Sequence, residues 1–278
     1  MSLQWPGAVA SASVVAFDLD GPTGGALIDG TIWSAPRRFA EGAYDVTSAL
    51  PRTLRILERH GVTATYFVPG WVVERWPDAV RRIADAGHEV AHHGYRHERF
   101  ADLTPTQQRD VIARSQEVFE RVLGVRAVGY RTPTGDWSAE TPAILVDEGF
   151  SYSSSLRDDH TPYLHVIDGE PTRLVEIPAR VDLDDYAAFA YSRDPDYPSS
   201  GDRIAGYRPV LDNYLREADG HHAVGGCFIT TFHPKVIATP GRARVVDRLV
   251  EHLAAQRDRW VAPAHRVADH ARNAEERA

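Results

Sequence analysis

The sequence predicts a parallel α/β protein, and three observations carry that prediction. Short apolar runs rich in β-branched residues do not alternate with polar ones, leucine and isoleucine repeat at helical spacing between them, and glycine or proline marks most junctions. The first run, Ser13-Val14-Val15-Ala16-Phe17, reads as a strand buried on both faces that stops at acids and Gly21-Pro22. Leu50, Leu54 and Leu57 follow at helical spacing up to His60-Gly61, a helix end. Thr63 to Val68 is a second strand, stopped by Pro69-Gly70. A short helix opens at Trp76-Pro77-Asp78 and closes at Ala86-Gly87, and Glu89 to His93 reads as a third strand. Thr104-Pro105-Thr106-Gln107 has capping-box spacing and opens a helix that reaches Leu123 before Gly124. Next come a strand at Ala127 to Tyr130, a helix from Ala139 to Glu148 and strand-like Phe150 to Ser153 and Leu174 to Ile177. Gly226 to Phe232 is a late strand, Val245, Val246, Leu249 and Leu253 form a helical stripe, Trp260-Val261 is a last short strand, and Asn273 to Ala278 reads as a frayed end. Residues 21 to 46 and 182 to 208 break this rhythm and read as long loops, which in a compact domain tend to be functional walls or lids. With no internal repeat and no linker composition, residues 1–278 are expected to form one domain.

Composition excludes several functions. A chain of 278 residues with 43% apolar content can bury a large core, so disorder is excluded for most of it. A net charge of -8 without a basic block argues against nucleic acid as a partner. Cys227 is the single cysteine, which rules out an intramolecular disulfide and a thiolate cluster, so metal ligands must come from histidine and carboxylate. Lys235 is the only lysine and follows a proline, leaving no Gly-Lys phosphate loop and little prospect of a Schiff base. Neither G-x-S-x-G nor G-x-G-x-x-G occurs, so serine-hydrolase and dinucleotide chemistry lose their usual anchors. The first positive charge is Arg37, and the apolar stretch Ala8 to Ala16 is short of the ~18 residues of a membrane span. The expected location is the cytoplasm, with no membrane partner.

Three constellations carry chemistry. In Ala91-His92-His93-Gly94-Tyr95-Arg96-His97, strand alternation puts His93 on the face of Ala91 and His92 on the other, so His93 and His97 make the better pair. Taken alone, such a pair is as readily two surface histidines. In Phe17-Asp18-Leu19-Asp20-Gly21, two carboxylates sit at the C-terminal end of a buried strand, where α/β folds bind ligands, and period two directs both to one side. One acid can bind a metal while the other takes a proton from water; alone, the pair reads more readily as a strand-ending turn. Tyr130-Arg131-Thr132-Pro133-Thr134-Gly135 also follows a strand and is by itself an ordinary Arg-bearing turn.

Together, Phe-Asp-x-Asp-Gly, His-x-x-x-His after Gly87-His88-Glu89, Arg-x-Pro-x-Gly and the late Thr-Phe-His-Pro around His233 resemble, in that order, the polysaccharide deacetylase family of metal-dependent N-deacetylases. The resemblance spans about residues 13 to 270 and is nearest to the intracellular branch with peptidoglycan-deacetylase-like, allantoinase-like and cyclic-imidase-like members, through Thr161-Pro162-Tyr163, Val175 to Ala179 and Leu183-Asp184-Asp185. It implies a distorted (β/α) barrel of about seven parallel strands. It also implies one divalent metal, usually zinc, on Asp20, His93 and His97, with Asp18 as general base, Arg131 bracing that base, and His233 protonating the leaving nitrogen. Backbone N–H groups near Thr134 and Gly135 would face the oxyanion. Leu19 separates acids that are adjacent in extracellular relatives, so the division of roles between Asp18 and Asp20 stays open. The family's Asp-Trp support for the catalytic histidine is missing, with Asp158, Asp159, Asp184 and Asp185 as alternatives.

The substrate expected first is an acetylated amino sugar, since Arg-x-Pro-x-Gly is the sugar-deacetylase form of the motif. The alternative is a cyclic imide or ureide, which a cytoplasmic enzyme would meet more readily. A third reading, an inactive carbohydrate-binding module, would need a broken site. Trp33, Trp71 and Trp137 could stack on a sugar or an imide ring, or simply pack. His88 reads as a turn residue, His60, His221 and His222 as solvated, His160 and His165 as possible pocket borders, and Cys227 as core. Relatives in the branch are often homo-oligomers; the sequence leaves the oligomeric state of this chain open.

Overall fold

The computed structural model of the chain describes residues 3–27, 30–189 and 205–275. Its strands are β1 (Ser11–Val14), β2 (Ala16–Asp18), β3 (Thr65–Val68), β4 (Glu89–His92), β5 (Gly129–Tyr130), β6 (Tyr152–Ser153), β7 (Tyr163–Ile167), β8 (Glu170–Glu176), β9 (Cys227–Ile229) and β10 (Arg259–Val261). Seven form one sheet in the order β2-β3-β4-β5-β6-β8-β7, parallel throughout except for β7, which is antiparallel to β8. Three more make a parallel sheet, β10-β1-β9. The expected first strand is thus split at Val15: its first half pairs with β9 and β10, and its second with β3 and, through a bridge, with Phe232. A second bridge joins Thr231 to Asp184.

The first strand does not alternate because both of its faces are buried. Val15, Phe17 and Leu19 belong to the outer apolar cluster beneath the helices, whereas Ala12, Val14 and Ala16 belong to an inner one shared with Phe67, Ala91, Tyr152, Val175 and Ile229. Each strand therefore contributes alternate residues to an interior that is packed solid, as in barrel-like α/β folds. The helix Pro105–Leu123 begins with the expected capping box, Thr104 accepting from the Gln107 backbone, and ends at Gly124 in the left-handed region.

Residues 21 to 46 depart from expectation. They are largely helical, as Pro22–Ala26, Gly30–Trp33, Pro36–Tyr44 and the start of the π-helical turn Asp45–Ala49. Pro22 and Pro36 sit in first turns, where the missing N–H costs nothing, and Gly42 lets two of these helices touch, since a Cβ there would fall 2.5 Å from Pro22 Cα. Of the second expected loop, Val181–Leu183 and Asp185–Phe189 are helical and residues 190–204 lie outside the described residues. The hairpin of β7 and β8 turns on Asp168-Gly169, both at positive φ, an Asp-Gly signal the strand reading passed over. The helix Ala264–Glu275 takes in residues 273–275 of the expected frayed end; residues 276–278 lie outside the described residues. Among the described residues no helix is long and apolar enough to cross a membrane.

Candidate active site

The site follows from continuing the inner-face alternation past the strand ends. On the first strand Ala16 is succeeded by Asp18 and Asp20, on β4 Ala91 by His93, on β6 Tyr152 by Ser154, and on β9 Ile229 by Thr231 and His233. All of these beyond the apolar layer line one cavity of about 360 Å³, together with His97, Arg131, Thr134 and Gly135. The odd-numbered Leu19 and the even-numbered His92 turn the other way, Leu19 into the outer core and His92 among Phe119, Tyr130 and Phe150.

Asp20 Oδ1 lies 3.6 Å from His93 Nε2 and 3.7 Å from His97 Nε2. Those separations are close to the edge of a tetrahedron with ligand bonds of 2.0–2.2 Å, about 3.3–3.6 Å. Oδ1 is buried and has no hydrogen-bond partner, which in a carboxylate is costly unless a cation completes it. His93 Nδ1–H donates to the Arg131 carbonyl at 2.8 Å, fixing the tautomer that turns the Nε2 lone pair towards Asp20. Burial holds His97 down to about 4, so its ring is neutral at neutral pH, the state a ligand needs. For Asp20, burial opposes ionisation, but the surrounding charges of His97, Lys235, His233 and His93 outweigh it and keep the carboxyl well below its usual range. These three residues fit a divalent cation.

Asp18 is held from the opposite side. Arg131 donates to Asp18 Oδ1 at 2.8 Å and to the Ser154 carbonyl and hydroxyl at 2.9 Å each, while its guanidinium lies 4.1 Å over the Phe67 ring. Asp18 Oδ2 is left 3.9 Å from His93 Nε2. Across the cavity His233 donates from both its backbone N–H and Nδ1 to the Asp185 carboxylate, at 2.9 and 2.7 Å, so Nε2 faces inward 3.9 Å from Asp20 Oδ2. Burial works against a charge on His233, yet Asp185, Asp20 and Asp184 raise it well above the ordinary imidazole value. Among the four acids left open for this support, Asp185 occupies the place: the Asp184–Thr231 bridge sets it beside His233.

Thr134 and Gly135 line the cavity on a turn with φ of +65° and +75°, and the Gly135 N–H points back to the Thr132 carbonyl at 3.4 Å. Trp33 and Trp137 are not among the lining residues. Trp33 packs edge-on against Trp71 under Arg96, and Trp137 lies against an outer apolar cluster and His165. His160 and His165 are also outside the lining, His165 being paired with buried Glu176. His221, expected to be solvated, is buried with Nδ1 on the Glu217 carbonyl, because it lies on the buried face of the helix Tyr207–Ala223. His60 and His222 are half-buried and pair with Asp247 and Asp258. His88 is buried and accepts from the Ala64 N–H; Cys227 is core, its thiol pushed up to about 12 by burial.

The polysaccharide deacetylase family model matches residues 38–153 of the chain. A peptidoglycan deacetylase of Helicobacter pylori is 31% identical over 254 residues, which cover 82% of this chain and 85% of that protein. The chain belongs to the polysaccharide deacetylase family. The deacetylases among its relatives are hydrolases of carbon–nitrogen bonds other than peptide bonds, and so is this chain. The crystal structure of a candidate polysaccharide deacetylase from Mycobacterium smegmatis superposes on it with a TM-score of 0.91 at 32% identity, covering 99% of this chain and 94% of that one. An allantoinase shares the fold, with a TM-score of 0.81 at 20% identity over 97% of this chain and 93% of its own.

Two carboxylates of this deacetylase-family site escaped the sequence reading. Asp45, fully buried, accepts the Gly21 N–H at 2.8 Å with one oxygen and the Lys235 N–H at 2.7 Å with the other, tying the turn after Asp20 to the turn after His233. Glu98 accepts from the Tyr95 and Arg96 N–H groups and so shapes the turn that presents His97 at a φ of +63°. No local signal marks Asp45, which lies far from every motif; Glu98 directly follows His97 and could have been suspected.

Proposed function

We propose that the chain is one catalytic domain that removes the acetyl group from an acetylated amino sugar, using a divalent ion, zinc first, held by Asp20, His93 and His97. The observation that carries this is the orphaned Asp20 Oδ1 facing two imidazoles, flanked by a braced carboxylate on one side and a carboxylate-backed histidine on the other. Held by these three residues, a divalent ion would supply a water acidic enough to ionise near neutral pH and would polarise the amide carbonyl. Asp18 takes the proton of the attacking water through Oδ2, with Arg131 fixing its other oxygen. Thr134 lines the same cavity, and with the Gly135 N–H turned back to the Thr132 carbonyl, the Thr134 N–H is the donor assigned to the carbonyl oxygen as it gathers charge. His233, kept protonated by Asp185, delivers its Nε2 proton to the departing amine. The names of the relatives, peptidoglycan and chitooligosaccharide deacetylases, support the amino sugar as substrate class.

Acetate release from N-acetylglucosamine oligomers by the zinc-loaded protein is the test, run beside ring opening of succinimide, hydantoin and allantoin. Acetate from any acetylated sugar supports the proposal. Ring opening without acetate release would replace the substrate class.

A further inference from the structure

Of the 31 lysines and arginines in the chain only Lys235 is a lysine, and its ammonium lies against the carboxylate of the Asp20, His93 and His97 cluster, nearer to Asp20 Oδ2 than His233 Nε2, which stands 3.9 Å from the same oxygen. Its side chain is largely buried, and Nζ reaches Asp20 Oδ2 at 3.4 Å beside the Tyr186 ring. The other oxygen, Oδ1, is the one that faces both imidazoles and has no hydrogen bond. Asp45 fixes this division mechanically: by holding the N–H groups of both Gly21 and Lys235, it sets the backbone beside Asp20 and the backbone of the lysine in one frame. Gly24 leaves room for it, since a Cβ there would fall 2.6 Å from Oδ2.

From this we infer that Lys235 is a positioning residue that occupies one oxygen of Asp20 and so restricts that carboxylate to a single-oxygen contact with the divalent ion. The inference rests on the metal reading given above. A lysine suits the task where an arginine does not. An ammonium is a point charge that satisfies one oxygen, whereas a guanidinium presents a planar pair of donors matched to both oxygens of a carboxylate. An arginine at 235 would compete with the ion for Oδ1; an uncharged residue would free Oδ2 to join Oδ1 on the ion.

The test compares the wild type with Lys235→Arg and Lys235→Met, two changes that separate charge from the number of donors. Zinc affinity is measured by competition with a chelator, and the cobalt(II)-loaded forms are compared by visible absorption, which weakens as coordination rises from four to five. Lys235→Arg, with the charge kept, is expected to bind zinc about 10–100-fold more weakly. Lys235→Met is expected to give a weaker cobalt band as Asp20 takes the ion with both oxygens. Thermal melting of the metal-free proteins confirms that each variant is folded. Wild-type zinc affinity in Lys235→Arg, or an unchanged cobalt spectrum in Lys235→Met, would overturn the inference. A wild type that binds no divalent ion would instead sink the metal reading beneath it.

Discussion

Asp18 and Asp20 are two residues apart on one face of a strand, yet their neighbours differ, and the proposed mechanism gives them different tasks. Asp18 has one oxygen committed to Arg131, so it can orient and take a proton but has little left for a cation. Asp20 keeps Oδ1 without any partner, between two imidazole nitrogens. Asp20→Asn is therefore expected to lose metal on dialysis, while Asp18→Asn retains it and turns over about 10²–10⁴-fold more slowly. Metal lost from Asp18→Asn and kept by Asp20→Asn would exchange the two roles. The strand period was enough to place both acids in one site; the division of labour proposed for them depends on Arg131, which arrives from another strand. Asp185 shows the same limit, because choosing it among four acids requires knowing that the chain bridges at Thr231. Since Asp185 helps keep His233 protonated, Asp185→Asn should lower the pKa of that acid and move the alkaline limb of kcat/KM to lower pH, with metal content unchanged. An unmoved alkaline limb would remove His233 as the acid.

At the scale of elements, what the sequence showed best were the parallel strands, because burial on both faces leaves short unbroken apolar, β-branched runs whatever the tertiary detail. Helices that gain their order from packing were the ones missed. The segment from Pro22 to Tyr44 reads as loop on its glycines, but Gly42 is there for contact: it admits Pro22 against the helix Pro36–Tyr44. Gly42→Ala decides between the two readings. In a bare helix alanine would gain about 1 kcal/mol over glycine, whereas overpacking against backbone costs about 1–3 kcal/mol. Because the atoms approached are the Cα and N of Pro22, which cannot swing aside, a net loss of stability is expected in urea unfolding. A fall in zinc affinity should accompany it, since Pro22 lies two residues from Asp20. A variant more stable than the wild type would show that the two helices are free to part.

The whole molecule carries its site on a solid interior, and the same close packing that orders the site buries histidines in neutral form. His92, on the outer side of β4, is wedged between Phe119, Tyr130 and Phe150 and accepts the Gly94 N–H on Nδ1. Burial takes it from the ordinary 6.5 down to about 3. Between those values the unfolded chain binds a proton that the folded chain refuses, so this group withdraws stability as pH falls through that window. Each unit of pH is worth up to about 1.4 kcal/mol for one proton. Other buried groups act in both directions over the same range: His97, held down to about 4, adds to the loss, while Asp45 and Asp185, pushed up to about 7 and about 6 by burial, gain stability as pH falls. The acid stability of the wild type is thus a sum of opposing contributions, and only a difference isolates one of them. His92→Phe keeps the aromatic contacts and removes the titrating ring; its loss of the Gly94 hydrogen bond shifts stability by an amount independent of pH above the His92 transition. Urea unfolding of the metal-free proteins from pH 7 to pH 4 should therefore show the variant gaining on the wild type steadily below about 6.5. Two parallel stability curves across that window would mean that His92 is protonated in the folded state and that its aromatic cage is open to water.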